Sequence, residues 1–165
     1  MLAIKTILHP TDFSEPSRVA LDMACGLASD YGAQLVIIHV MATPLLAPAT
    51  KVAGIQSKLD GLEIPTNGID VVRRIEEGNP AAEILRMGQI CNADLIVMGS
   101  HGRGAMERWL MGSVAESVMR AATCPVLTVT APQLAATTLP AGAEGMEAAP
   151  AQEPVALAVR SVPSQ

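Results

Sequence analysis

Met98-Gly-Ser-His-Gly-Arg-Gly-Ala-Met-Glu-Arg-Trp-Leu-Met-Gly-Ser-Val114 decides how this chain is read. It follows the apolar run Ala93-Asp-Leu-Ile-Val97 and leads into a helical pattern from Ser113 to Ala122. Gly99 and Gly102 lie just past that strand, and Gly112 stands directly before Ser113. Glycine lets a backbone turn sharply and approach a ligand closely. The first N–H groups of a helix have no partner within it and favour an anion. The spacing therefore predicts a phosphate cradle at the carboxyl end of a strand. Two familiar cradles are excluded. Gly99 and Gly104 have the Walker separation, but Ala105 and Met106 replace the required Lys and Ser/Thr. Gly102-Arg-Gly104 continues with Ala105, Met106 and Glu107, so the dinucleotide fingerprint fails.

Upstream of the loop, strands and helices alternate. Ile4 to His9 reads as a strand ending at Pro10, and Ser14 with Pro16 opens a helix to about Tyr31. Val19, Met23 and Leu27, with Ala20 and Ala24, give that helix an apolar face. Gln34 to Val40 is the near-continuous apolar run of a strand buried on both faces. Residues 41–50 read as loop, and Lys51 to Leu62 as a weak helix broken by glycines. Ile69 to Glu76 reads as an edge strand. Asn79-Pro80 starts a helix to about Cys91, Asp94 to Met98 is a fourth strand and Pro125 to Thr130 a fifth. Such alternation predicts an α/β fold with a parallel sheet and right-handed crossovers. Ligands of such sheets bind beyond the strands' carboxyl ends, where strand order reverses. Asp12, Val40 and the Gly99 loop all fall at such ends.

Composition narrows the function. With 165 residues the chain is the size of one domain, and 50% of it is apolar. Phe13, Tyr31 and Trp109 are the only aromatics and the formal charge is −5, which argues against nucleic acid as a partner. No apolar run has membrane-spanning length, and no secretory leader pattern opens the chain. Cys25, Cys91 and Cys124 are widely spaced in apolar surroundings, as expected of reduced thiols in a cytosolic protein. From Pro132 the chain turns Ala/Pro-rich with Glu144, Glu147 and Glu153, the composition of a flexible tail. Its run Val155 to Val162 has strand-like content.

The pattern G-x2-G-x9-G-S resembles the ATP-binding signature of the universal stress protein family. Ile7-Leu-His-Pro-Thr-Asp-Phe-Ser-Glu15 is similar to that family's first strand and turn, and Cys124-Pro-Val-Leu-Thr-Val129 to its last strand. The resemblance covers residues 1–131 and leaves 132–165 as an added tail. It implies a five-stranded parallel sheet in the order 3-2-1-4-5 with helices on both faces, a Rossmann-like nucleotide-binding fold. It further implies a cytoplasmic, ATP-binding stress-response protein that forms a homodimer through its last strand, Val126, Leu127, Thr128 and Val129. Asp12, with Pro10 and Thr11, would meet the adenosine end, and Val40 would hydrogen-bond and pack against adenine. Met98, Gly99, Ser100, His101, Gly102, Arg103, Gly112, Ser113 and Val114 would surround the phosphates, with Ser100 and Val114 adding backbone N–H donors.

Each residue also has a plainer reading. Asp12 can serve only as a helix-start charge. Val40 can be a core residue, and Arg103 and Arg108 can lie solvated. Met98, Met106 and Met111 read as packing, and Trp109 as a domain or interface contact. His9, His39 and His101 lie near strand ends without a metal-site spacing, so His9 and His39 are expected as satisfied strand-end histidines. Any metal would be Mg²⁺ carried by the phosphates. No P-loop lysine or general base is evident, and H-I-G-H, K-M-S-K-S and S-G-G-x-D-S signatures are missing. Catalysis is therefore expected to be slow ATP hydrolysis at most.

Overall fold

The computed structural model describes residues 3–42, 49–64, 68–100, 111–130 and 159–160. Its elements in chain order are β1 (Thr6–Pro10), α1 (Glu15–Tyr31), β2 (Gln34–Met41), α2 (Ala49–Asp60), β3 (Val71–Glu77), α3 (Pro80–Ile90), β4 (Leu95–Gly99), α4 (Ser113–Ala121), β5 (Val126–Val129) and β6 (Val159–Arg160). The sheet runs β3-β2-β1-β4-β5-β6. The first five strands are parallel, in the order expected. To these the structure adds β6, which lies antiparallel along β5 with Leu127 opposite Val159 and Val126 opposite Arg160.

Alternation along each strand divides the core in two. Ile7, Leu35, Ile37, Val97 and Leu127 face α1 and Leu59 of α2. Leu8, Val36, Ile38, Ile96, Met98 and Val126 face α3 and α4. Such nearly complete burial is worth about 1.5–3 kcal/mol per large aliphatic side chain. The amino ends are tied by Asp94, whose Oδ2 accepts from the N–H groups of Lys5 and Thr6 at 2.8 and 3.0 Å.

Two expectations are corrected. α1 buries Ser17, Ala20, Leu21, Ala24, Cys25 and Ala28, while Val19 and Leu27 are half-buried and Met23 is 36% exposed. The helix lies on the sheet mainly through small residues and Leu21, so Val19, Met23 and Leu27 sit at the flank. In α2 the helix runs unbroken through Gly54. Arg73 closes its far end, donating from Nε to Leu59 O at 3.1 Å and from Nη2 to Leu62 O at 3.4 Å.

The helix starts follow local chemistry. Ser14 caps α1 by accepting from Ser17 N, and Asn79 caps α3 by accepting from Ala82 N at 3.1 Å, each with a proline in the first turn. Gly32 ends α1 in the left-handed conformation, at φ 63°, which glycine adopts without penalty. All three cysteines are free thiols. Burial pushes Cys25 up to about 11 and raises Cys91 and Cys124, which keeps them protonated rather than reactive.

Candidate functional site

Strand order reverses between β1 and β4, so the crevice between their carboxyl ends is where a parallel sheet holds a ligand. Asp12 follows β1, Ser100 follows β4 and α4 begins beside them. By contrast, an open hollow of about 400 Å³ lined by Lys5, Gly32, Gln34 and Asp70 lies at the opposite, amino ends of the strands.

The turn after β1 is closed on itself. Thr11 N–H donates to Ile38 O at 2.8 Å, and Thr11 Oγ1 accepts from Ser17 Oγ at 2.9 Å and from Phe13 N at 3.1 Å. Asp12 Oδ1 accepts from Ser14 N at 3.0 Å and from Ser14 Oγ at 2.5 Å. Phe13 is held at φ 63°, unusual for an aromatic residue, with its ring 4.7 Å from that of His39. His39 Nδ1 in turn donates to Thr11 O at 2.8 Å. His39 is the satisfied strand-end histidine expected, though its partner was not foreseen, and sequence reasoning missed the part of Ser17. Ser17 lies on the buried face of α1, one turn beyond its cap, but the bonds of Thr11 to Ile38 and His39 depend on pairing between distant segments.

Beneath this turn lies His9, fully buried. Its Nδ1 is 2.8 Å from the Val97 carbonyl, which can only accept, so Nδ1 carries the proton and Nε2 is a bare acceptor. Nε2 has no hydrogen-bond partner among the described residues, so the expectation of a satisfied histidine holds for only one of its nitrogens. Burial outweighs the Val97 bond and the nearby Asp12 charge, and lowers its pKa from 6.5 to about 4.

The turn after β4 is built otherwise. Ser100 N–H donates to Val129 O at 2.8 Å, and Ser100 Oγ lies 3.0 Å from Thr130 Oγ1. The backbone donor expected of Ser100 is thus already used within the sheet. Ser100 O accepts from Gly112 N–H at 2.9 Å, which draws the start of α4 back to the end of β4. Gly112 is the N-cap of α4 and makes no side-chain cap. Among the described residues, the first turn, with Ser113 exposed and Val114 half-buried, therefore presents donors without a side-chain cap, which an anion would satisfy.

Gly99 has a more immediate task than approaching a ligand. A Cβ there would stand 3.0 Å from Pro16 C and Ser17 N, so glycine is what lets the start of α1 rest on β4. Met98 and Val40 both point to the α3/α4 side, Met98 almost wholly buried and Val40 half-buried. Pro10 is the last residue of β1 and is buried. His101, Gly102 and Arg103, with Met106, Arg108 and Trp109, lie outside the described residues.

The Universal stress protein family matches residues 3–130. The chain belongs to the universal stress protein family. A universal stress protein of Methanocaldococcus jannaschii is 36% identical over 142 residues, spanning 78% of this chain and 84% of that protein. Among solved structures, a family member from Burkholderia pseudomallei superposes with a TM-score of 0.60 at 31% identity, covering 77% of this chain and 96% of its own. A universal stress protein in complex with cAMP superposes with a TM-score of 0.65 at 27% identity, covering 79% and 99%. Adenine nucleotide is thus bound by a structural relative of this chain. Among the described residues no helix is long and apolar enough to cross a membrane.

Proposed function

We propose that this chain is a cytoplasmic ATP-binding stress-response regulator, acting as a nucleotide-dependent dimeric module. The observation that carries this reading is the start of α4. A helix with no side-chain cap, beginning at a glycine, is drawn against the end of β4 beside the reversal of strand order. Its uncapped N–H groups and dipole suit a phosphate, and Ser113 Oγ stands beside them.

In this reading Gly112, Ser113 and Val114 hold the triphosphate together with Gly99, Ser100, His101, Gly102 and Arg103. Asp12 accepts from ribose hydroxyls, on the turn fixed by Pro10 and Thr11, while Val40 and Met98 line the adenine side. A relative bound to cAMP supports the adenine class, and the glycine pattern supports a nucleotide with several phosphates. Mg²⁺ would accompany the phosphates rather than sit in a protein cage. The domain is residues 1–131, with 132–165 an appendage that contributes β6 at Val159–Arg160. Two copies join through Val126–Val129, an uncharged strand that would be a liability if left unpaired.

Mass spectrometry of nucleotide released from freshly purified, heat-denatured protein tests this directly. The wild type carries near-stoichiometric ATP, and Gly112→Val, still folded by circular dichroism, carries none. Wild-type protein that neither retains nor binds added ATP would overturn the reading and leave a nucleotide-free interaction module. Sustained ATP turnover abolished by Gly112→Val would instead make the site an enzyme's.

A further inference from the structure

The outer edges of the sheet are chemically unlike. β3, Val71-Val-Arg-Arg-Ile-Glu-Glu77, borders the sheet with four charged residues, a pattern that discourages pairing by another strand. β5, Val126-Leu-Thr-Val129, has no charge at all. Its edge is taken by the chain's own Val159–Arg160, antiparallel and opposite Leu127 and Val126. Two copies joined about a two-fold axis through β5 would also meet antiparallel, using the same backbone groups of the same residues. One edge cannot serve both.

We propose that the C-terminal strand is a tethered cap on β5, which a second copy must displace before two chains can join. This rests on the reading of β5 as the dimer contact. Residues 130–158 join the cap and β5 in one chain, and pairing within a chain has an effective concentration on the order of millimolar. A second copy at micromolar concentration faces roughly a thousandfold disadvantage unless its pairing is intrinsically tighter by that factor. Among the described residues the cap pairs with Val126 and Leu127 of β5. A two-fold partner through β5 would need those same residues, so the balance is set by tether against the strength of the second copy's pairing.

The test uses the full-length protein and its Val159→Pro, Arg160→Pro double variant, compared by sedimentation equilibrium and by hydrogen exchange at the amides of residues 126–129. Proline at both positions removes the N–H groups with which the cap could pair. The double variant is expected to dimerise at least about tenfold more tightly. Its β5 amides should exchange faster than wild type when dilute and become protected as the dimer forms. Equal dimerisation of both proteins would overturn the cap and leave the dimer reading standing. No association of either protein at any accessible concentration would overturn the dimer reading and the cap with it. A variant dimer whose β5 amides stay unprotected would place the contact elsewhere and overturn both.

Discussion

α1 and α4 both begin at the crevice between β1 and β4, yet their first turns are finished in opposite ways. α1 starts under a closed set of side-chain bonds: Ser14 caps it, Asp12 holds Ser14, and Ser17 reaches back to Thr11. α4 starts at a glycine with no side-chain cap, whose N–H donates to Ser100 O and whose carbonyl accepts from Glu116 N. Capping satisfies donors that would otherwise need water or a ligand. The contrast ties the first turn to stability and, in the proposed reading, leaves phosphate contact to the second, and it can be attacked from either side.

The largest effect is expected beneath the β1 turn. His9 titrates near 6.5 when unfolded but near 4 when buried, so the unfolded chain binds a proton that the folded one refuses. The stabilisation from a neutral His9 is complete above pH 6.5. It declines as pH falls from 6.5 towards 4, and amounts to about 3 kcal/mol. Urea unfolding at both pH values, for wild type and His9→Gln, isolates it: the wild type should lose more stability on acidification by about that amount. Parallel losses in the two proteins would remove the buried imidazole from the account of this turn.

Next is Gly99→Ala. The added methyl meets backbone atoms of Pro16 and Ser17, which can yield only if α1 shifts, and overpacking of this kind costs about 1–3 kcal/mol. A variant of unchanged urea midpoint that nonetheless sheds nucleotide would move Gly99 from scaffold to ligand contact. Smaller still, and sharper, is a crossed pair. Ser14→Ala should cost about 1 kcal/mol and keep its nucleotide. Gly112→Ser should change stability by only a few tenths of a kcal/mol while lowering the nucleotide retained, because a new cap competes for the donors. If both variants lose stability and both keep nucleotide, the distinction between the turns collapses.

Legibility in the sequence tracked the range of the interaction. Ser14-Glu-Pro16 and Asn79-Pro80 announced their helices because a cap and its first turn lie within four residues. Gln34 to Val40 read as a doubly covered strand, which the structure extends to Met41, because its apolar run needs no partner to be seen. On α1 the sequence correctly put Ala20 and Ala24 on the apolar face but centred it on Val19, Met23 and Leu27, where close approach to the sheet buries Ala20, Leu21, Ala24 and Ala28 and leaves Met23 exposed. In the site, the uncapped start at Gly112 was visible as a spacing. The bond from His39 to Thr11, the half-satisfied His9 and the clash awaiting a Cβ at Gly99 were not, because each joins segments far apart in the chain.

The place of β1 in the sheet also bears on how the protein is made. β1, made before every other strand described, is an inner one, paired with β2 on one side and with β4 on the other. β2 follows at once, but Val97, whose carbonyl receives the His9 proton, comes 88 residues later. At about 5–20 residues per second, one flank of β1 waits roughly 4–18 s before its neighbour exists. Throughout that interval the nascent chain carries a half-built sheet with an apolar open side, the kind of surface on which chaperones act.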